Sequence, residues 1–195
     1  MLKQKKNEEP PMKKLILILG DLASGKSTFA DILSEKYLIP SLKKDVIKEL
    51  LGDTIGFANR EENLRLSSAT FEIMLHSFDR ISMTGGDIIL ESNFREKELD
   101  RLLALSNSRG YEVLTIYLSA KCEILYKRFL ERIEKGRHPV HLTTGFNDYE
   151  GFVRYVEGQR PKNIPENLIK IDANDFTYQN DAEIFENISA FLGKF

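Results

Sequence analysis

The sequence predicts a three-layer α/β fold with a five-stranded, mainly parallel sheet and helices on both faces. Short apolar runs alternate about five times with helical patterns along the 195 residues, as in parallel sheets with crossover helices. A glycine-rich loop, residues 20–28, joins the first apolar run to the first helical pattern. Because ligands of such sheets bind beyond the carboxyl ends of the strands, the residues after each strand are the candidate functional residues.

The elements follow from hydrophobic periods and turn residues taken in chain order. Gly85-Gly86 and Gly110 each follow a helical pattern, as glycines at helix C-termini do, and Ser119 is a candidate N-cap. Gly52 with Asp53 is expected to stop a short helix. The predicted strands cover residues 14–19, 39–42, 87–91, 111–118 and 168–171. The predicted helices cover residues 26–37, 46–51, 60–84, 96–108, 120–135, 147–157 and 181–191.

Two elements have clear patterns. The helix over residues 60–84 carries a stripe in steps of four and three, namely Leu64, Ser68, Phe71, Leu75 and Phe78. The strand 87–91 contains three consecutive large apolar residues, which indicates burial on both faces of a parallel sheet.

The glycine-rich loop has the form G-x-x-x-x-G-K-[ST] and predicts a P-loop NTPase fold that binds nucleotide phosphates. Gly20 and Gly25 allow backbone angles and a close approach that a side chain would block. Backbone N–H groups of the loop and the following helix N-terminus would face one anion. Lys26 would reach the β- and γ-phosphates, and the Ser27 hydroxyl would ligate Mg²⁺. The predicted nucleotide-binding residues are Gly20, Asp21, Leu22, Ala23, Ser24, Gly25, Lys26, Ser27 and Thr28.

Composition and charge are those of a single globular domain without a broad basic surface. Hydrophobic residues make up 42% of the chain and charged residues 30%, as in soluble proteins. The formal net charge of −2 disfavours a surface that coats nucleic acid but allows a narrow basic cleft. Cys122 is the single cysteine, and the apolar run 15–19 is too short to span a bilayer. We therefore expect a cytoplasmic protein without a disulfide or a membrane segment.

The first residues differ from the rest of the chain. Residues 1–12 are charged, interrupted by prolines and without hydrophobic periodicity, so we expect a disordered leader. Met12 directly precedes the first strand and is a second candidate for the start of translation. Residues 13–195 form the predicted domain, with a lid at about residues 136–150.

Asp45 follows the second predicted strand. Phosphoryl transfer needs a carboxylate that orients the acceptor hydroxyl or takes its proton, and Asp45 is the candidate. The alternative is that Asp45 is only the N-cap of the following helix. Lys48 shares its helix face and either holds an anionic part of the acceptor or is a surface lysine. For Lys44 a surface position is the stronger expectation.

Glu91 ends the third predicted strand, where P-loop proteins place a carboxylate that holds Mg²⁺ or its waters. An acid there is costly unless it meets a cation or hydrogen-bond donors. The alternative is a strand-end acid exposed to water. Ser27 and Glu91 are the predicted Mg²⁺ ligands. His138 and His141, in an H-x-x-H spacing, lack a nearby cysteine or third histidine, which disfavours a zinc site.

The helix 120–135 carries a basic face formed by Lys121, Arg128, Arg132 and Lys135. Arg137 follows in the predicted lid. An arginine on a mobile lid would neutralise charge that develops on the γ-phosphoryl group and would exclude water. Charged stripes are usually solvated faces, which we accept for the two lysines. At least one of Arg128, Arg132 and Arg137 is expected to act in the lid.

These motifs together resemble a known family. The P-loop, Lys44-Asp45-x-x-Lys48, Glu91-Ser92-Asn93, and Arg128-x-x-x-Arg132 with Arg137 are similar to the small P-loop kinases around polynucleotide 5′-kinase, chloramphenicol phosphotransferase and the zeta toxins. The likeness covers roughly residues 13–175. It implies a five-stranded P-loop kinase core, Asp45 as base, and Arg132 with Arg128 or Arg137 as the lid pair. Many members have Asp at the position of Glu91 and Arg at that of Lys48.

We therefore expect an ATP- and Mg²⁺-dependent kinase that transfers the γ-phosphoryl group to a hydroxyl of a small molecule or nucleotide. One alternative is a polynucleotide 5′-hydroxyl kinase acting on a nucleic-acid end. Another is a regulatory ATPase or nucleotide switch without a small acceptor, and a toxin that phosphorylates a sugar nucleotide is a third. The expected catalytic residues are Lys26, Asp45, Arg128, Arg132 and Arg137, with Asp45 and Lys48 on the substrate. Arg60, with Phe57 and Asn59, is a candidate for the acceptor pocket.

Overall fold

The fold is described by a computed structural model that covers residues 12–142, 145–161 and 164–194. Apart from Met12, the predicted leader lies outside the described residues. The strands form one parallel sheet whose neighbours all pair in parallel register. They are β1 (Lys13–Gly20), β2 (Ser41–Lys43), β3 (Ile88–Glu91), β4 (Tyr111–Ser119) and β5 (Leu168–Asp172), in the order β2-β3-β1-β4-β5.

Helices cover both faces of this sheet, because the central strand β1 is apolar on both sides. Ile16 and Ile18 point into one core with the helices 26–37 and 182–192, and Leu15 and Leu17 point into the other with the helices 60–82 and 96–108. The predicted three-layer α/β fold is therefore confirmed. The helices are α1 (Lys26–Tyr37), α2 (Lys44–Ile55), α3 (Arg60–Ser82), α4 (Glu96–Ser108), α5 (Cys122–Glu134), α6 (Tyr149–Gln159) and α7 (Ala182–Leu192).

In the part of the chain that the structure describes, no helix combines the length and apolarity needed to cross a membrane.

A third, smaller core joins α5 and α6 to the phosphate loop. Phe129 of α5 packs against Phe152 of α6, with ring centroids 5.5 Å apart. Phe146 completes the aromatic cluster, and Ala23 of the glycine-rich loop is buried in it at 3% exposure. The α5–α6 pair is thereby fixed against the loop that is expected to bind phosphate.

Two predicted helix ends are wrong. The helix α2 runs through Gly52 and ends only at Ile55, where Gly56 adopts φ 77°. The helix α5 begins at Cys122 after Lys121, and Ser119 belongs to β4, where it pairs with Asp172. Ser119 is therefore the end of a strand and not an N-cap.

The predicted stripe of the long helix is correct only in part. Phe71 and Phe78 are buried in the core. Leu64 is 43% exposed and lines a cavity, and Ser68 is exposed. The N-terminal part of α3 extends beyond the sheet, so its core-facing period does not continue to that end.

Candidate functional site

A cavity of about 300 Å³ lies at the carboxyl ends of β1, β2 and β3. The glycine-rich loop and the start of α1 form one end of it. The first turns of α2, the N-terminal half of α3, the segment after β3, and parts of α5, α6 and the predicted lid form the remainder. The cavity therefore lies at the strand ends, where the sequence predicts the functional residues. The predicted residues that line it are Leu22, Ala23, Ser24, Gly25, Lys26, Ser27, Asp45, Lys48, Arg60, Glu91, Arg132 and Arg137.

Two glycines shape the phosphate loop. Gly20 has φ 142°, and a Cβ there would lie 2.1 Å from the carbonyl oxygen of Leu118. Gly25 has φ 98°, and its Cβ would lie 2.4 Å from the Tyr178 hydroxyl. Any side chain at either position would displace β4 or Tyr178, so the compact loop requires glycine at both.

Lys26, the first residue of α1, is buried in this loop. Its ammonium donates a hydrogen bond to the carbonyl oxygen of Asp21 at 2.8 Å. Burial lowers the pKa of Lys26 below its usual value, while the negative charges of Glu91 and Asp45 act in the opposite direction. A buried ammonium gains most from an anionic partner, because little water is present to solvate it.

Ser27 and Glu91, the two predicted Mg²⁺ ligands, are in contact. The Ser27 hydroxyl donates to Glu91 Oε2 at 3.1 Å. Glu91 is 4% exposed, so the alternative of an acid in open water is wrong. Burial raises the pKa of Glu91, and the nearby charge of Lys26 opposes this rise. The pair offers two oxygen ligands of the kind that Mg²⁺ prefers.

Asp45 lies in the first turn of α2 with its side chain exposed to the cavity. The N-cap of α2 is Lys43, so the alternative role of Asp45 as N-cap is wrong. Burial lowers the pKa of Lys26, Lys48 and Arg137, and the charge of Asp45 acts against that effect in each. The carboxylate is thus surrounded by cations and accessible to a ligand.

The two lysines beside Asp45 have different surroundings. Lys48 lines the cavity and donates to the carbonyl oxygen of Val140 at 3.3 Å. The expected surface position of Lys44 is wrong: its ammonium binds both carboxylate oxygens of Glu98 at 2.8 Å, and the side chains are 11% and 12% exposed. The first turn of α2 directs Lys44 towards α4, where Glu98 neutralises its charge.

The structure brings two of the three predicted lid arginines to the cavity. Arg132 and Arg137 line it. The Arg137 guanidinium lies 5.5 Å from the ring centre of Phe129, and its buried Nη1 has no hydrogen-bond partner among the described residues. Burial lowers the pKa of Arg137. A buried donor without a partner is costly unless a ligand satisfies it.

Arg128 occupies a different place. Its guanidinium donates to the carbonyl oxygens of Ala173 and Asn174, at 2.7 and 3.0 Å, and lies 4.2 Å from the ring centre of Phe176. It does not line the cavity. Arg128 therefore fixes the segment after β5 to α5.

The start of the predicted lid is docked on α2 and α3. The carbonyl oxygen of Val140 accepts hydrogen bonds from Lys48 Nζ and from Asn63 Nδ2, the latter at 2.9 Å. The Val140 side chain is 1% exposed and packs on Gly52. Residue 140 is thus held by its backbone and its side chain together.

Both lid histidines pair with carboxylates of α2. His138 Nε2 lies 2.9 Å from Asp53 Oδ1, and His141 Nε2 lies 2.7 Å from Glu49 Oε1. Burial lowers the pKa of His141, while Asp45 and the Glu49 hydrogen bond act against this effect. These contacts fasten the lid to α2, which is a structural role that the H-x-x-H spacing did not reveal.

Sequence reasoning missed several residues of the site. Arg95, Asn63 and Tyr155 line the cavity, and no motif marks them. The side chain of Asp21, a residue predicted to bind nucleotide, accepts two hydrogen bonds from Arg160, at 3.0 and 2.8 Å, which tie the end of α6 to the phosphate loop. Only the fold brings Arg160 to residue 21.

A comparison with family models identifies the domain. A model described as an AAA domain (AAA_18) matches residues 16–141, which is more than half of the chain. This chain belongs to the AAA domain family. The matched part of the AAA domain includes the phosphate loop, Asp45, Glu91 and the docked lid residues. Among curated proteins, no sequence match was found.

Solved structures share the fold of this AAA domain. A candidate kinase from Chloroflexus aurantiacus is 26% identical over 92% of this chain and 98% of its own, with a TM-score of 0.78. The Mycobacterium tuberculosis APS kinase CysC, solved with AMPPNP and APS, is 14% identical over 92% and 99%, with a TM-score of 0.61. A chain of the Pnkp1/Rnl/Hen1 RNA repair complex is 17% identical over 80% and 47%, with a TM-score of 0.59. The predicted P-loop kinase fold is confirmed.

Proposed function

We propose that this chain is an ATP- and Mg²⁺-dependent kinase that phosphorylates a hydroxyl group of a small molecule or nucleotide. The observation that carries the proposal is the position of Asp45. It is an exposed carboxylate in the cavity that the phosphate loop also lines, with cations around it. In phosphoryl transfer such an acid orients the acceptor hydroxyl or takes its proton.

In this proposal the phosphate loop binds the donor. Backbone N–H groups of the loop and Lys26 bind the β- and γ-phosphates of ATP. The buried position of Lys26 supports this role, because its charge interacts strongly in a site with little water. Arg132 and Arg137 approach from the lid side of the cavity and stabilise charge on the transferred group. For Arg128 we propose only a structural role, which is to hold the segment after β5 against α5.

Asp45 is the proposed base. It takes the proton of the acceptor hydroxyl as the hydroxyl oxygen bonds to the γ-phosphorus. The bond from that phosphorus to its bridging oxygen breaks, and the electron pair leaves with ADP. The products are ADP, the phosphorylated acceptor and a proton, so atoms and charge balance. Such a positioned base contributes about 10²- to 10⁴-fold to the rate.

The Ser27 hydroxyl and the Glu91 carboxylate would hold Mg²⁺, directly or through water. Their separation of 3.1 Å and oxygen chemistry fit a hard divalent cation. Mg²⁺ commonly takes one or two protein ligands and completes its coordination with phosphate oxygens and water. When bound, Mg²⁺ neutralises charge on the phosphates.

The test is transfer of the γ-phosphoryl group from labelled ATP. The acceptor panel contains sugars, nucleosides, sugar nucleotides and a 5′-hydroxyl oligonucleotide. We expect label on a small acceptor, and a loss of about a hundredfold in Asp45→Asn with ATP binding retained. Asp100→Asn is the matched control, because Asp100 is exposed on α4 and outside the cavity. Full transfer in Asp45→Asn would exclude Asp45 as the base.

Two other outcomes of this assay select the alternatives. Label on the oligonucleotide alone would identify a polynucleotide 5′-hydroxyl kinase. The cavity volume of about 300 Å³ lies at the small end of ligand sites and favours a small acceptor over a nucleic acid. ATP hydrolysis without any labelled acceptor, and without dependence on Asp45, would identify a regulatory ATPase.

A further inference from the structure

The part of the cavity lined by Lys48, Arg60 and Arg95, called the acceptor side below, carries three cations. Two arginines reach it from different elements: Arg60 is the first residue of α3, and Arg95 precedes α4. Lys48 joins them from α2. The donor needs Lys26 and the lid arginines, so these three cations are additional to the set that the proposed nucleotide site uses.

Lys48 is close enough to Arg95 and to the proposed base Asp45 for their charges to act on it. Burial lowers the pKa of Lys48 and the charge of Asp45 opposes this, while Lys44, Arg95 and Arg137 lower the pKa further. Burial and the charge of Asp45 raise the pKa of the Tyr155 hydroxyl, and the charges of Arg137, Arg60 and Arg95 oppose this rise. Like charges that line one cavity repel each other, and an anion that binds among them relieves this repulsion.

Among the described residues, Arg60 and Arg95 differ in their ion pairing from two arginines outside the cavity. On the outer surface, Arg65 pairs with Glu61 and Arg101 pairs with Glu72. In contrast, the ion pairs of the described residues include neither Arg60 nor Arg95. The guanidinium groups of Arg60 and Arg95 are therefore available to a ligand.

The charges also indicate how much negative charge the ligand carries. Glu98 already neutralises Lys44 at the cavity wall. Asp45 offsets one of the three positive charges of Lys48, Arg60 and Arg95. The remaining excess is about that of a dianion. A group with several oxygen acceptors suits arginine best, because the guanidinium can donate two parallel hydrogen bonds to it.

The lid leaves space for one of these arginines. A Cβ on Gly145 would lie 2.9 Å from Arg60 Nη1 and 3.3 Å from Nη2. Glycine at this position therefore lets the guanidinium lie directly against the lid backbone. Arg60 is held between α3 and the lid, beside the space where the acceptor would lie.

We infer that the acceptor carries a dianionic group of the phosphomonoester class beside the hydroxyl that is phosphorylated, and that Arg60, Arg95 and Lys48 bind this group. The inference rests on the proposed kinase function, since it names the substrate class of the same site. The acceptor is then a phosphorylated sugar or a nucleotide, and its phosphate directs the hydroxyl towards Asp45. An uncharged sugar or nucleoside would lack this anchor.

The first experiment measures binding and not turnover. The full chain is loaded with Mg²⁺ and AMPPNP, so that the phosphate loop is occupied, and is titrated calorimetrically with inorganic phosphate. We expect one phosphate per chain, and binding weaker by about tenfold or more in Arg60→Gln and in Arg95→Gln. Arg65→Gln on α3 and Lys97→Gln on α4 are matched controls outside the cavity. No phosphate binding, or equal binding in all variants, would overturn the inference.

The second experiment compares matched pairs in the same loaded protein: ribose with ribose 5-phosphate, and uridine with UMP. At least one phosphorylated member should bind about tenfold or more tightly than its uncharged partner, and the difference should vanish in Arg60→Gln/Arg95→Gln. Equal binding of both members in every pair would contradict the inference.

These tests separate the inference from the proposed function. Failure of AMPPNP to bind would remove the proposed function. The phosphate titration would then be repeated on the nucleotide-free chain. Binding lost in Arg95→Gln but retained in Lys26→Ala would still establish the basic subsite, and the reverse pattern would place the phosphate in the phosphate loop and reject it.

Discussion

Gly52 of α2 lies directly against Val140 of the lid: a Cβ on Gly52 would come within 2.4 Å of Val140 Cγ1. No side chain larger than hydrogen fits between them. The carbonyl oxygen of Val140 is bound by Lys48 and Asn63. A glycine inside a helix, which is otherwise destabilising, is therefore what allows the lid to dock beside the proposed acceptor site.

Gly52→Ala should loosen the lid. In an exposed helix this change stabilises by up to about 1 kcal/mol, but here the new methyl group displaces Val140 and its hydrogen bonds. We expect trypsin to cleave after Arg137 several times faster than in the parent protein. Gly158→Ala in α6 is the matched control, because a Cβ there meets no atom within 4 Å. That control should be slightly stabilised with unchanged cleavage, and unchanged cleavage in Gly52→Ala would contradict the docking contact.

Gly52 also shows what the sequence can predict of the fold. The strands, their parallel pairing and the helix order follow from local periods, and these agree with the structure. Gly52 was expected to end a helix. The sequence alone does not distinguish a glycine at a helix C-terminus from a glycine inside a helix that a neighbouring side chain covers. Its partner Val140 lies 88 positions away, and no local pattern reports that distance.

The residues of the candidate site also fall into two groups, those that local sequence predicts and those that only the packed fold brings together. Lys26, Ser27, Asp45 and Glu91 were found because each stands at a strand end or in a motif whose spacing is local. On the acceptor side, Lys48 and Arg60 were candidates for binding the acceptor, whereas Arg95 was not predicted. The three side chains come from different elements and meet only after the helices have packed, so their grouping could not be predicted from local sequence.

Lys44→Met should destabilise the protein by about 3 kcal/mol, since it leaves the Glu98 carboxylate without its cation in a nearly buried position. Replacing both residues, in Lys44→Met/Glu98→Met, should recover much of this loss because no buried charge then remains. Urea denaturation at pH 7 measures both. Arg65→Gln breaks an exposed pair with Glu61 and should change the free energy of unfolding by less than about 0.5 kcal/mol. Equal effects of the buried and the exposed change would contradict the burial argument.

Arg137→Met should separate stability from activity. The variant removes a buried guanidinium nitrogen that has no partner among the described residues and keeps most of the apolar contact with Phe129. We expect the nucleotide-free protein to be as stable as the parent, or more stable by up to about 1 kcal/mol. Transfer from ATP should fall by about 10²- to 10³-fold. Arg154→Met, exposed on α6, should change neither, and a clear loss of stability in Arg137→Met would show that Arg137 is a structural residue.

Acidification should undock the lid. Burial lowers the pKa of His141 below its usual value of about 6.5, so the docked lid favours the neutral imidazole. An undocked His141 gains its proton first as the pH falls. The stabilisation of docking is therefore complete above pH 6.5 or so and is lost below it, by at most about tenfold per pH unit. Glu49 and Asp45 favour the protonated ring and Arg137 opposes it, but burial is the largest effect.

The chain contains no tryptophan, so Leu142→Trp, at an exposed position beside His141, provides a single fluorescent reporter of docking. Its emission should shift as the pH falls from 7.5 to 5. Adding His141→Asn should flatten the profile, because the titrating ring is gone. Adding His76→Asn, at an exposed position of α3, should leave the profile as it was. A lid that docks more firmly in acid would mean that the hydrogen bond from His141 to Glu49 outweighs burial, and would reverse the assigned direction of the His141 pKa.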